Sequence, residues 1–458
     1  MPDLTATETP WAVLTDVAER SQRYLESLNE RRVAPTAEAV AGLNALDIPL
    51  QDDPMDPEAI VDELDRIAAP ATVAIAGPRY FGFVNGGALP GALAVNWLST
   101  AWEQHGAFHV GAPGSSFLED VAMRWTIDLL GLPSECVGGF VTGTTVAHMT
   151  CLVAARQALL EAVGWNSDAD GLFGAPPITV ITGAETHSTF LKALGVVGFG
   201  RSRVVRVPVD DQGRICASEL PPITGPTFVC LQAGNVNTGA FDPFREIIER
   251  VRASGAPTWV HIDGAFGLWA RVASARAHLA DGIELADSWA TDAHKWLNSP
   301  YDCGMAIVRD ARALRKAMAL NAAYLPTDRA NPCDFTPESS RRPRGVDVWG
   351  ALRTLGRSGL ADLVERNCRL AKRFADAFVA AGFSVLNDVV LNQVLVSFGD
   401  DARTREVIAA VQADGTCWCG VTVWQGHTAM RVSVISWATT DADVDRSVDA
   451  ILRIASSS

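Results

Sequence analysis

Apolar positions change their spacing three times along the chain. Over residues 11–45 they recur at helical intervals, as in "VLTDVAERSQRYLESLNE". A break rich in Pro and Asp, "IPLQDDPMDPEA", separates them from a second helix predicted over about 57–68. From about 135 to 310 short β-branched apolar runs take over: "PITVITG", "SRVVRVPV", "PTFVCLQAG", "PTWVHIDG", "DSWATD" and "GMAIVRD". Helical stretches such as "DPFREIIERVRASG" lie between several of them. Strands alternating with helices predict an α/β fold with a mainly parallel sheet and helices on its faces. Beyond the basic loop "NPCDFTPESSRRPRG" the pattern predicts a long helix over about 347–382. It then gives "VVLNQVLVSF", the helix "DARTREVIAAVQADG", the run "TAMRVSVISWA" and a terminal helix in "DADVDRSVDAILRIA", a smaller α+β unit. The expected division is a helical segment over 1–65, a large α/β domain over 66–335 and a small domain over 336–458.

With 458 residues, 48% hydrophobic and 20% charged, the chain is of ordinary globular makeup and too long for one small core. Its 38 basic residues against 53 acidic ones give a formal charge of −15, which sets nucleic acid aside as a partner. "MPDLTATETPW" is polar and proline-punctuated, unlike a secretory signal, and no apolar run approaches the roughly 20 residues that span a bilayer. The nine cysteines are scattered, and the one-residue spacing of "CWC" is not that of a zinc site. No metal is expected, and reduced thiols in a cytoplasm are.

One lysine, Lys295 in "TDAHKWLNSPYDCG", follows a short strand and lies among Ser, Trp, Ala and Thr rather than on a charged face. A lysine drawn from water has a reason to be there. In an open α/β sheet, ligands gather at the carboxyl ends of strands, and several polar residues fall at such ends. "GGFVTGTTVAHMT" sets Gly143, Thr144 and Thr145 where a loop enters a helix. Free N–H groups, hydroxyls and the helix dipole there can cradle a phosphate. Asp263 ends the run "WVHIDGAFG", and His187 follows "ITVIT". Singly, these are equally a helix cap, a turn aspartate and a structural histidine. Together they offer an amine for a Schiff base, a carboxylate for a pyridinium nitrogen, an aromatic ring and a phosphate cradle. That is the set pyridoxal 5'-phosphate needs.

The ordered motifs "TGTTVAH", "ETHSTFLKA", "GNVNTGAFDP", "HIDGAFG" and "DAHKW" resemble those of the group II pyridoxal-phosphate-dependent amino-acid decarboxylases. These are relatives of the aromatic-amino-acid and glutamate decarboxylases, and the likeness runs from "GPRYFGFVNGGALPGAL" to "AMRVSVISWATTDADV". The resemblance implies fold type I, which is aspartate-aminotransferase-like, and a homodimer with the active site at its interface. It implies that Lys295 carries the cofactor, that Asp263 pairs with the ring nitrogen, and that Ala265 and His187 cover the two ring faces. Thr144 and Thr145 would hold the phosphate, with Asp292 and His294 beside it, and Asn235 would stand near the ring hydroxyl. The chain departs from the family pattern where Thr144 replaces a glycine, Val146 an acid and His148 an asparagine. "GNVNTG" also lacks paired threonines.

Such a cofactor site serves several reactions, because the bond broken at Cα is the one held perpendicular to the ring. An aldolase, lyase or aminotransferase therefore stands beside the amino-acid decarboxylase. Tyr324 in "LNAAYLPTDRANP" matches the loop tyrosine that reprotonates Cα in the resembling decarboxylases. Arg431 in "AMRVSVISW" is expected either to anchor a substrate carboxylate or to pair with a core acid. By the same resemblance Phe83, Trp102 and Phe108 would suit an aromatic or bulky amino acid, and Arg79 or His105 a polar one.

Overall fold

A computed structural model describes residues 11–320 and 329–457. Its centre is a seven-stranded sheet of β1 (Val137–Val141), β2 (Thr179–Gly183), β3 (Val205–Val207), β4 (Thr227–Gln232), β5 (Thr258–Asp263), β6 (Ser288–Asp292) and β7 (Gly304–Val308). The spatial order is β1-β7-β6-β5-β4-β2-β3, and every pairing is parallel except those of β7, which runs against both β1 and β6. The central strands β4, β6 and β7 are buried at every residue, as β-branched and aromatic runs without polar alternation require.

The spacing of apolar residues missed β1, because Gly138 and Gly139 remove its strand signature. Both glycines answer to close packing. A Cβ on Gly138 would stand 2.4 Å from the Ala306 carbonyl oxygen, and one on Gly139 would stand 2.4 Å from Thr336 Cγ2. The helix Thr144–Glu161 leaves β1 and packs on the back of the sheet. It is apolar around most of its circumference, burying Ala147, Cys151, Leu152, Ala154, Ala155 and Leu159, so it is a core helix rather than a surface one.

The helix Gly345–Ala380 leads out of the large sheet and is broken at Gly356, whose φ of 62° only glycine adopts without strain. Its second half packs on an antiparallel sheet of β8 (Ser384–Val385), β9 (Gln393–Ser397), β10 (Gly420–Trp424) and β11 (His427–Ser433), in the order β10-β11-β9-β8. Phe374, Phe378, Val394, Val396, Val407, Met430, Val432 and Ile451 form the core between these layers.

At the other end, the helices Val13–Ser27 and Pro57–Ile67 bury no residue. Arg20 ties them together through Asp16, Asp62 and Asp65. Leu14, Ile60 and Leu64 remain exposed on them, as does Trp11 just before the first. No helix among the described residues is long and apolar enough to cross a membrane, and all nine cysteines are free.

Candidate active site

Register brings the polar strand ends together. Asp263 lies opposite Gln232 on β4 and Ala290 on β6, while Asp292 and Val141 both face Gly304 on β7. Lys295 sits in the turn after β6. Asn298 stiffens that turn: its Nδ2 donates to the carbonyls of Trp296 (3.0 Å) and Ile435 (3.2 Å), and its Oδ1 accepts from Trp437 N (2.9 Å). A preceding segment lies across the turn. Gly86 N donates to the His294 carbonyl (3.2 Å), Leu89 N to that of Asn298 (2.7 Å), and a Cβ on Gly86 would stand 2.0 Å from the Lys295 oxygen.

Lys295 Nζ is 3.1 Å from Asp292 Oδ2, and the other Asp292 oxygen accepts from Thr144 N at 2.7 Å. Burial works to raise the Asp292 carboxyl, but the Lys295 ammonium and His294 outweigh it and hold it below the usual range. His294 Nε2 lies 3.6 Å from Asp292 Oδ2, and its ring is covered by Tyr301 at 4.4 Å between centroids. The Tyr301 hydroxyl donates to Asn85 Oδ1.

Asp263 is buried at the end of β5, with Oδ1 accepting from Ala265 N (3.3 Å) and Oδ2 3.5 Å from His148 Nε2. Burial alone would raise its carboxyl; His148, then His187 and His261, outweigh this and keep it ionised far below the usual range. His187 caps the helix Ser188–Val196, its Nδ1 2.7 Å from Thr189 Oγ1. Burial keeps its imidazole neutral, and it senses Asp263, Lys295, His148 and Arg431, so these groups share one space. The Ala265 carbonyl accepts from Asp292 N (3.0 Å), which sets Ala265 between the two aspartates. Asn235 Oδ1 accepts from Asn237 N (2.9 Å) and Thr238 N (3.3 Å). Its Nδ2 and the Thr144 hydroxyl are buried with no hydrogen-bond partner among the described residues. Thr145 follows Thr144 in the first turn of the same helix.

Two orphaned polar groups, a helix N-terminus, an amine and an ionised buried carboxylate fit a phosphorylated pyridine aldehyde group by group. Such a ligand would satisfy Thr144 and Asn235, which are costly to leave unpaired.

The residues expected to line the substrate space part company. Phe83, at φ 51°, is exposed and stacks on Trp418 (5.5 Å), which stacks in turn on Tyr80 (5.1 Å). Trp418, on a backbone bridge to Tyr80, is a wall residue that no local spacing announced. Phe108 instead belongs to a segment held on the loop before the long helix: Gly106 N donates to the Arg341 carbonyl (2.7 Å) and Cys333 N to that of Ala107 (3.2 Å). Trp102 is exposed, and His105 Nδ1 accepts from Ala107 N (3.3 Å). Arg79, expected as a candidate polar receptor, is corrected to a packing role. It is buried, ion-paired with Asp443 (3.2 Å) and bonded to the Thr416 carbonyl. Arg431 has the reverse character. It has no carboxylate partner among the described residues, only the Val236 carbonyl (3.2 Å), and burial lowers its pKa. Tyr324 lies outside the described residues.

Residues 41–399 match the family model described as "Pyridoxal-dependent decarboxylase conserved domain". The chain is 27% identical over 419 residues to tryptophan decarboxylase 1 of Oryza sativa subsp. japonica, covering 82% of this chain and 80% of that protein. It is 26% identical over 372 residues to the aromatic-L-amino-acid decarboxylase of Bacillus atrophaeus, covering 78% and 74%. Its fold is that of Oryza sativa TDC solved with PLP and tryptamine, with a TM-score of 0.89 at 23% identity and 97% of each chain covered. The chain belongs to the pyridoxal-dependent decarboxylase family and is a carboxy-lyase that uses pyridoxal 5'-phosphate, of fold type I, so the reaction left open among Cα bonds falls to decarboxylation.

Proposed function

We propose that this family member removes the α-carboxylate of an aromatic L-amino acid as carbon dioxide and works as a homodimer in the cytoplasm. The observation that carries the substrate class is the wall of Tyr80, Trp418 and Phe83, beside the segment that crosses the Lys295 turn. A flat side chain gains both apolar burial and ring stacking against such a wall. Curated relatives that act on tryptophan and other aromatic amino acids point the same way. Incubation with pooled amino acids, with products read by mass spectrometry, should yield arylethylamines and carbon dioxide. Amine formed mainly from glutamate would overturn the assignment.

Pyridoxal 5'-phosphate, when bound, supplies an aldehyde for the amine and a ring that takes up the electron pair left at Cα. Lys295 Nζ would hold the cofactor by its aldehyde. Asp263 would face the ring nitrogen and favour its proton, His187 and Ala265 would flank the ring, and Asn235 would serve the ring hydroxyl. Thr144 and Thr145, at a helix N-terminus, would hold the phosphate. Asp292 and His294 steady Lys295. Arg431, a desolvated guanidinium with no carboxylate partner among the described residues, receives a substrate carboxylate, and Phe83 bounds the side-chain space.

Loss of carbon dioxide needs no acid, but Cα must then be reprotonated, and the Tyr324 phenol is the donor. Tyr324→Phe should release carbon dioxide while amine formation falls about 100-fold or more, with aldehyde in its place. Amine at the wild-type rate would remove Tyr324 from this role.

Exposed Trp11, Leu14, Ile60, Leu64, Trp97 and Leu98 give the N-terminal helices and their neighbours an apolar face that a second copy covers. Light scattering at assay concentration should give twice the chain mass, and a fully active monomer would refute the dimer. The cytoplasmic assignment rests on nine free thiols, eight of them buried, and is checked by cell fractionation.

A further inference from the structure

Behind Asp263 lies a line of buried polar groups that the reaction above does not use. His148 Nδ1 is 2.9 Å from His261 Nε2, His261 Nδ1 is 2.8 Å from Ser288 Oγ, and Trp259 Nε1 is 2.8 Å from the same oxygen. Its last step is looser: His148 Nε2 faces Asp263 Oδ2 at 3.5 Å and has no closer hydrogen-bond partner among the described residues, so the line leads from an indole to the carboxylate. Phe190 and Phe228 enclose it: Phe190 meets His148 edge-on at 5.4 Å and stacks on His261 at 6.3 Å, and Phe228 lies 5.8 Å from His261. His148, His261 and Ser288 are fully buried, so they must satisfy one another.

The two ends decide which way every proton points. An indole only donates, so Ser288 accepts from Trp259. The serine's own proton then goes to His261 Nδ1, a better acceptor than the neighbouring Cys151 thiol. Burial keeps His261 neutral, so its single ring proton is on Nε2 and is donated to His148 Nδ1. His148 must then carry a proton on Nε2, facing the carboxylate. In the reverse order Ser288 would accept from both rings and leave its own proton to the weaker Cys151 sulfur, and a neutral His148 would turn a lone pair towards Asp263.

We infer that Trp259, Ser288, His261 and His148 form a one-way hydrogen-bond relay that fixes His148 as an Nε2–H donor and so orients and holds Asp263 ionised for the cofactor's ring nitrogen. His148 is a positioning residue: it acts through Asp263 and touches no reacting atom. A carboxylate held by a neutral donor keeps its full charge for the ring, and successive bonds in a low-dielectric pocket polarise one another. The relay's effect on turnover rests on the Asp263 role proposed above. Its proton pattern does not, so the two can fail separately.

The test is made on the holoenzyme. In protein labelled with 15N-histidine, the ring signals of His148 and His261, assigned by loss in His148→Gln and His261→Gln, should both be those of neutral Nε2–H tautomers. An Nδ1–H tautomer at either ring, or an imidazolium at His148, overturns the relay whatever the enzyme's activity. His148→Leu should lower kcat about 10- to 100-fold with KM within about threefold. It should also move the 15N resonance of labelled cofactor towards that of an unprotonated pyridine. His148→Gln, which keeps a donor near Asp263, should recover most of both. Equal loss in the Leu and Gln variants, or a full-rate Leu variant, overturns the positioning role. Ser288→Ala, remote from the cofactor, should release the fixed order and shift the His261 ring signals; unchanged tautomers there also overturn it.

Discussion

Replacing Lys295 with alanine should lower carboxy-lyase turnover by about a thousandfold or more and leave no cofactor that borohydride can fix to the chain. The chain has only four lysines, Lys192, Lys295, Lys316 and Lys372, and only Lys295 lies in the cluster with Asp292, His294 and His187. In the ligand-free arrangement its ammonium is held by Asp292, whose second oxygen is already engaged by Thr144 N. The amine is thus aimed at the mouth of the helix Thr144–Glu161, where the phosphate of the cofactor belongs. Alanine removes the covalent link but leaves the Thr144 amide and hydroxyl, so weak, dialysable cofactor binding should persist. It also leaves Asp292 without its cation, and a melting curve separates a folding defect from a chemical one. Peptide mapping after borohydride reduction is the decisive readout. Cofactor found on Lys192, Lys316 or Lys372, with activity retained, would falsify the assignment.

How far this site could be read from residues alone follows from what local spacing encodes. Uninterrupted apolar runs marked β2 and β4 to β7, and an acid directly after such a run, Asp263 or Asp292, has to lie at the sheet edge, where charge meets water or ligand. β1 was lost because two glycines serve backbone packing rather than side-chain pattern. Relations across long stretches of chain left no local trace. His148 and His261 are 113 residues apart, and Tyr80 finds Trp418 through a bridge between distant segments. Arg79 and Arg431 read alike as arginines in apolar surroundings. Only the folded chain gives one of them Asp443 and leaves the other with a lone carbonyl. The His148 departure from the family pattern was visible from the start. Its meaning required His261, Ser288 and Trp259 to be brought together by adjacent strands β5 and β6, whose register sets His261 opposite Ser288.

Replacing Asp263 with alanine should leave the cofactor attached to Lys295 and still cost about a thousandfold in kcat. The argument starts from charge. A buried carboxylate ordinarily gains a proton, yet His148, His187 and His261 hold Asp263 ionised, so at neutral pH it presents a full negative charge to whatever base sits in front of it. Opposite a pyridine nitrogen that charge would keep a proton on the ring, and a protonated ring is a far better acceptor than a neutral one for the electron pair left at Cα when carbon dioxide departs. Alanine abolishes this without touching Lys295, Thr144 or Asp292, so the bound cofactor's absorbance should persist while turnover collapses. It also removes the carboxylate that the buried His148 Nε2 faces at 3.5 Å, which should appear as a modestly lowered melting temperature. Asp263→Glu keeps the charge but lengthens the reach from the end of β5, so it should recover part of the rate. Because Asp263 stays ionised down to acid pH, wild-type kcat should show no titration of this group between pH 5 and 8. The proposal fails if the alanine variant turns over within about fivefold of wild type, since no other carboxylate at this edge could then be spared for the ring. Asp292, the nearest alternative, is committed to Lys295 and to the amide of Thr144.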